Sequence, residues 1–184
     1  MAQRTGNNGI PVNQVIVFTG SGRGMTAAAI GVAARTISIG GRVIFVYFTG
    51  PKHPVLGEIK SAAIINKNWI TVGIRSVAKE PCYLNDFSES VDTVEEAMDM
   101  ALKKWSSECD VLVLDSITRH IACGSISVSR VIDLIDSRSP ETSIILTGPY
   151  APDALIERAD VVTEFLSVKQ PADIEIQFLR GIDF

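Results

Sequence analysis

Excess positive charge, paired cysteines, histidine clusters and long apolar runs are all missing from this chain, and each absence removes a class of function. Lys and Arg number 17 against 21 Asp and Glu, a net charge of −4 over 184 residues. No basic field is present to hold nucleic acid or an anionic membrane. The three cysteines, Cys82, Cys109 and Cys123, are odd in number and widely spaced. They make neither a zinc pattern nor a disulfide framework, and a reduced cytoplasm is the expected compartment. Two histidines, His53 and His120, exclude a histidine-rich metal centre. No nucleophile-elbow sequence accompanies them. No apolar run approaches the roughly 20 residues of a membrane helix. Residues 1–13 are polar, lack the apolar stretch of a secretory signal and read as a mobile arm. What remains, 46% hydrophobic and 21% charged, is ordinary globular composition. It predicts a single α/β domain over residues 14–184 with a sizeable core.

Short β-branched runs alternate with helical patterns. Val15–Phe18, Val43–Phe48, Trp69–Ile74, Val111–Asp115, Ile144–Thr147 and Val161–Phe165 read as strands. Several are apolar at nearly every position, as in a parallel sheet covered on both faces. Thr26–Ile39, Glu58–Lys67, Asp92–Ser107, Ser127–Ser137 and Pro152–Ala159 read as helices. The third carries Val94, Ala97, Met98, Ala101, Leu102 and Trp105 on one stripe, with Asp92 and Glu95 spaced as a capping box. Alternation of this kind predicts right-handed crossovers and a doubly wound, mainly parallel sheet with helices on both faces. Ligands in such sheets sit at the carboxyl ends of strands. The segments at those ends are the loop after the first strand, Thr49–Gly57, Asp115–Ser125 and Gly148–Ala151, and they are expected to converge. Arg75–Ser90 is the longest irregular stretch, a length often functional.

The loop after the first strand reads Thr19-Gly20-Ser21-Gly22-Arg23-Gly24-Met25-Thr26. Strand, glycine-rich turn and helix together form the setting in which backbone amides cradle phosphate. The segment nearly matches a Walker A loop, with Gly24 and Thr26 in place and Met25 where lysine belongs. Met25 neutralises no charge; Arg23 is the substitute, or else a solvated loop arginine. The competing account of the loop is a tight turn that merely needs glycine. Leu112-Val113-Leu114-Asp115 looks like a Walker B strand ending in a carboxylate near magnesium; its bland alternative is a turn cap. His120 and Cys123 lack a third member for nucleophilic chemistry. Trp69 and Trp105 read as core. Phe87 is the loop aromatic that either faces a ligand or packs onto the core.

From about Val15 to the C-terminus, the chain resembles the ATP:corrinoid adenosyltransferases of the CobA/CobO/BtuR type. The resemblance rests on Phe18-Thr19-Gly20 with the glycine loop, Gly31 and Arg35 in an alanine-rich helix, Gly41-Arg42-Val43, and Val113-Leu114-Asp115. It continues through Leu146-Thr147-Gly148, Ala151-Pro152, Ala159-Asp160-Val161-Val162-Thr163-Glu164 and the ending Gly181-Ile182-Asp183-Phe184. It implies a RecA-like P-loop fold, a homodimer, and transfer of the 5′-deoxyadenosyl group of ATP to the cobalt of a reduced corrinoid, cobalamin or a precursor. Thr19, Gly20, Ser21, Gly22, Arg23, Gly24, Met25 and Thr26 would then hold the triphosphate. Arg23 and Asp115 would serve catalysis, Thr26 and Asp115 would hold Mg2+, and Phe87 would touch the corrinoid.

The sequence departs from the family where that chemistry lies. Met25 replaces the loop lysine, Ser116 a glutamate and Pro149 an arginine, while Lys169-Gln170 stands for a lysine–histidine pair. Phe87-Ser88-Glu89 stands for phenylalanine–x–tryptophan, and Lys52 is near a lost lysine. Each lost charge contact removes about 2–4 kcal/mol of transition-state stabilisation. Two function classes follow: a divergent adenosyltransferase, or a non-catalytic relative that holds nucleotide or corrinoid for regulation or delivery. Slow nucleotide hydrolysis is a weaker third, because no water-activating carboxylate follows Asp115.

Overall fold

A computed structural model describes residues 14–48, 57–74, 89–169 and 181–182. Its strands are β1 (Val15–Gly20), β2 (Val43–Tyr47), β3 (Trp69–Ile74), β4 (Glu89–Val91), β5 (Val111–Asp115), β6 (Ser143–Thr147) and β7 (Val161–Phe165). Every pair is parallel, in the order β4-β3-β2-β5-β6-β1-β7. Because all strands run one way, every following loop leaves from the same edge.

The helices are α1 (Met25–Ser38), α2 (Gly57–Ile65), α3 (Val94–Met100), α4 (Ser106–Glu108), α5 (Ile117–Ala122), α6 (Val128–Ser137) and α7 (Asp153–Arg158). Alternation along the strands divides the core in two. Val43, Phe45 and Tyr47 of β2, with Val111 and Val113 of β5, bury against Ala29, Ala33 and Ile37 of α1 and Ile59 and Ala62 of α2. Ile44, Val46, Leu112 and Leu114 face the other way, against α3, α5, α6 and α7. Both faces of the central strands are therefore covered, which is why their sequences are continuously apolar.

All six expected strands are present, and Trp69 and Trp105 are core, at 3% and 1% exposure. Four local differences stand out. Residues 89–91, at the end of the expected long loop, form edge strand β4, too short for a periodic signal. Ile117–Ala122, within an expected loop, forms α5. The cap of α3 lies one residue later than Asp92/Glu95: Thr93 Oγ1 accepts from the Glu96 amide at 3.0 Å, and Glu96 Oε2 accepts from the Asp92 amide at 2.7 Å. The third helix passes through a π-helical segment, Ala101–Trp105, before α4. At the opposite edge β7 bonds only to β1 among the described residues, and Val161 and Val162 stay 39% and 41% exposed. The N-terminal arm lies outside the described residues.

Cys109 ends α4, its thiol donating to the Trp105 carbonyl at 2.8 Å. Burial pushes it up from 9.0 to about 12, more than nearby Arg42 pulls it down. Since the folded chain holds a proton that the unfolded chain releases near 9, this stabilisation is complete below pH 9 and disappears between pH 9 and 12. In a Cys82→Ser background, iodoacetamide at about pH 8 should alkylate exposed Cys123 and spare Cys109 until urea is added. Equal labelling rates in the folded protein would contradict this packing.

Candidate nucleotide site at the carboxyl edge of the sheet

Strand order sets the geometry. β6 lies between β1 and β5, so the glycine loop and Asp115 leave the sheet two strand positions apart. Thr147, the last residue of β6, fills the gap. Asp115 is 2% exposed. Its Oδ1 accepts from the Thr26 hydroxyl at 2.9 Å and from the Thr147 hydroxyl at 2.7 Å. Thr147 Oγ1 in turn accepts from the Ser116 amide at 2.8 Å. One carboxyl oxygen thus ties α1, β5 and β6 together.

Around this tie the chain is tightly constrained. Ser116 has φ 67°, the left-handed region that costs a non-glycine residue about 1 kcal/mol or more. Gly148, at φ 125°, cannot take a side chain: a Cβ would fall 2.5 Å from Thr118 Oγ1. Thr118 Oγ1 donates to the Pro149 carbonyl at 2.8 Å, and the Ala151 amide donates to Thr19 Oγ1 at 3.1 Å. The Phe48 amide donates to the Asp115 carbonyl at 3.1 Å, and His120 Nε2 donates to the Phe48 carbonyl at 2.7 Å. His120 therefore braces the end of β2, while Cys123 is exposed.

The glycine loop has its own constraint. A Cβ on Gly20, at φ 115°, would meet the Phe165 carbonyl oxygen at 2.3 Å. One on Gly22 would meet Phe165 backbone at 2.8 Å. The Gly22 amide donates to that same carbonyl at 2.7 Å, so it is committed to β7. Packing against β7 accounts for these two glycines. Gly24 differs: its φ of 106° requires glycine, yet its nearest neighbour would be the Phe165 ring at 3.6 Å. Gly24 is the N-cap of α1, without a side-chain cap, and no acidic residue occupies the first turn. The first helical bond runs from Ala28 N to Gly24 O at 2.8 Å. The amides of Met25, Thr26 and Ala27 precede that ladder, where an anion is favoured.

Ser21, Arg23 and Gly24 are exposed at the tip of the loop, and Thr26 is half-buried. Met25 and Phe165 both pack against the apolar cluster that contains Phe18. Segments after β1, β5 and β6 meet at one edge; of the expected segment after β2, residues 49–56 lie outside the described residues. Phe87, Lys52 and Gln170 lie outside them too. Among the described residues, no group of three His, Cys, Asp or Glu side chains is placed to hold a metal. The oxygen donors Thr26 and Asp115 suit a hard cation such as Mg2+, which takes few protein ligands beside phosphate and water. Thr147 and Thr118 were not singled out from the sequence as site residues. The available signal was an apolar run ending in a hydroxyl at a strand's carboxyl end, the pattern that exposed Asp115.

A parallel sheet with the glycine loop and the acidic strand separated by one strand defines a RecA-like P-loop fold. The flagellar accessory protein FlaH from Methanocaldococcus jannaschii shares it, with a TM-score of 0.51 at 14% identity over 86% of this chain and 73% of that one. The profile of the family ATP:corrinoid adenosyltransferase BtuR/CobO/CobP matches residues 12–184, and the chain belongs to that family. It is 27% identical to the corrinoid adenosyltransferase of Escherichia coli over 170 residues, covering 92% of this chain and 85% of the relative. It is 26% identical to corrinoid adenosyltransferase CobA of Salmonella typhimurium over 178 residues, covering 92% and 85%.

Thr147→Val removes the donor that Asp115 accepts at 2.7 Å and orphans the Ser116 amide. Urea unfolding should show a loss of about 1–3 kcal/mol, with Thr147→Ser close to wild type. A neutral Thr147→Val would mean that the tie contributes nothing.

Proposed function

We propose that this chain is a divergent corrinoid adenosyltransferase. The cobalt of a reduced corrinoid supplies an electron pair to the ribose 5′ carbon of ATP. A Co–C bond forms as the C5′–O bond breaks, and triphosphate leaves with the electron pair. The protein supplies positioning and charge compensation. The observation that carries the reading is the 2.9 Å hydrogen bond between Thr26 and Asp115, at the mouth of a glycine loop, in a chain of this family. By donating its proton to Asp115, the Thr26 hydroxyl keeps its lone pairs for a cation.

In this reading Gly20 and Gly22 seat the loop on β7, while Ser21, Gly24 and the amides opening α1 hold the triphosphate, with Thr19 anchoring the loop's start. Arg23 supplies positive charge. Thr26 and Asp115 would hold Mg2+, which would screen the leaving group. Phe87 meets the corrinoid, cobalamin or a precursor. Residues 14–184 act as one unit, working as a homodimer in the cytoplasm. Given ATP, Mg2+ and chemically reduced cobalamin, the purified chain should form adenosylcobalamin, followed by absorbance, above the rate without protein. Asp115→Asn should lower that rate at least tenfold. No product above background rejects the reading.

Two observations favour a second reading, a binding protein without turnover. Met25, half-buried, packs against an apolar cluster where charge is needed, and the Gly22 amide is already engaged. Calorimetry separates the two: ATP or cobalamin bound without product supports this one. Met25→Lys restores one charged contact and should tighten tripolyphosphate binding by roughly tenfold or more. An unchanged affinity would show that the ammonium does not reach the anion.

A further inference from the structure

Tyr150 is placed against both of the rules that govern folding. Its φ of 61° puts a bulky aromatic residue in the left-handed region, where glycine or asparagine is favoured. It is also 80% exposed, so the ring gains no burial in return. The strain is imposed from both sides. The Gly148 amide donates to the Phe18 carbonyl at 3.1 Å, and the Ala151 amide donates to Thr19 Oγ1 at 3.1 Å. Between them the Pro149 carbonyl accepts from Thr118 at 2.8 Å. The turn that presents Tyr150 is therefore fixed to the strand and the first residues of the glycine loop. Neither core packing nor backbone preference accounts for the residue, and strained positions of this kind collect at ligand sites.

Its location supplies the ligand. Tyr150 follows β6, the strand next to β1, and the Ala151 amide bonds Thr19, so the turn that carries this exposed ring lies beside the start of the glycine loop. On the other flank of that loop, Leu166, after β7, is 68% exposed. A nucleotide with its phosphates at the start of α1 must place its base beyond the loop, and Tyr150 is an exposed aromatic on a turn bonded to that loop. We infer that Tyr150 is a specificity residue whose ring stacks on the purine base of a nucleotide held by the glycine loop. The inference rests on the proposed phosphate site and deepens it. Stacking needs only the ring face, so the phenol hydroxyl is dispensable.

Calorimetry on the full chain tests this with ATP, inorganic tripolyphosphate and hydroxocobalamin as separate probes. Tyr150→Ala should weaken ATP about tenfold to 100-fold. Tripolyphosphate should change less than about twofold, and Tyr150→Phe should bind ATP as wild type does. Tyr150→Gly separates ligand binding from folding: relief of strain should raise Tm by about 2–4 °C while ATP weakens as in the alanine variant. Wild-type chain that binds ATP, with Tyr150→Ala binding it equally, overturns the stacking and leaves the phosphate site standing. So does a loss confined to hydroxocobalamin. Wild-type chain that binds neither ATP nor tripolyphosphate overturns both.

Discussion

The site depends on a single buried oxygen. Asp115 Oδ1 accepts two hydroxyl protons, from the first turn of α1 and from the end of β6, and so holds three elements of separate origin at fixed distance. A buried carboxyl without partners costs far more than each hydrogen bond gains, so the arrangement is close to obligatory once Asp115 is enclosed. Everything nearby accommodates it. Ser116 takes a left-handed backbone to bring its amide to Thr147. Gly148 gives up its side chain so that Thr118 can approach.

Charge is the part that this chain lacks. The loop keeps the shape of a phosphate cradle but has a thioether side chain where an ammonium is needed, and Met25 packs against the apolar cluster under α1. Amide and helix-terminus contacts carry partial charge only. Among the described residues of the loop, Arg23, exposed at its tip, is the side chain able to add a full charge there. Shape and charge are thus separable here: glycine packing against β7 fixes the loop whether or not an anion arrives.

Several features were legible in the sequence because they are local. Strand cores in β2, β5 and β6 follow from continuous apolar runs, and the α3 stripe from its helical period. Asp115 was visible as a carboxylate ending such a run. The missed elements are those with weak local signals. β4 has only three residues, and α5 only six without a side-chain cap. The capping box slipped by one because Asp92, Thr93, Glu95 and Glu96 offer overlapping choices, and only the final packing of Ala97 and Met98 selects between them.

The sequence by itself determined the alternation of strands and helices, the family resemblance, and a glycine loop between β1 and α1. Each is encoded within a dozen neighbouring residues by period and turn chemistry. Only the tertiary structure decided that β6 inserts between β1 and β5, because strand order is set by non-local pairing and crossover handedness. That insertion makes Thr147 a partner of Asp115. It also brings Tyr150 to the edge of the loop, while the separate pairing of β7 on the other side of β1 sets Gly20 and Gly22 against a strand about 145 residues away.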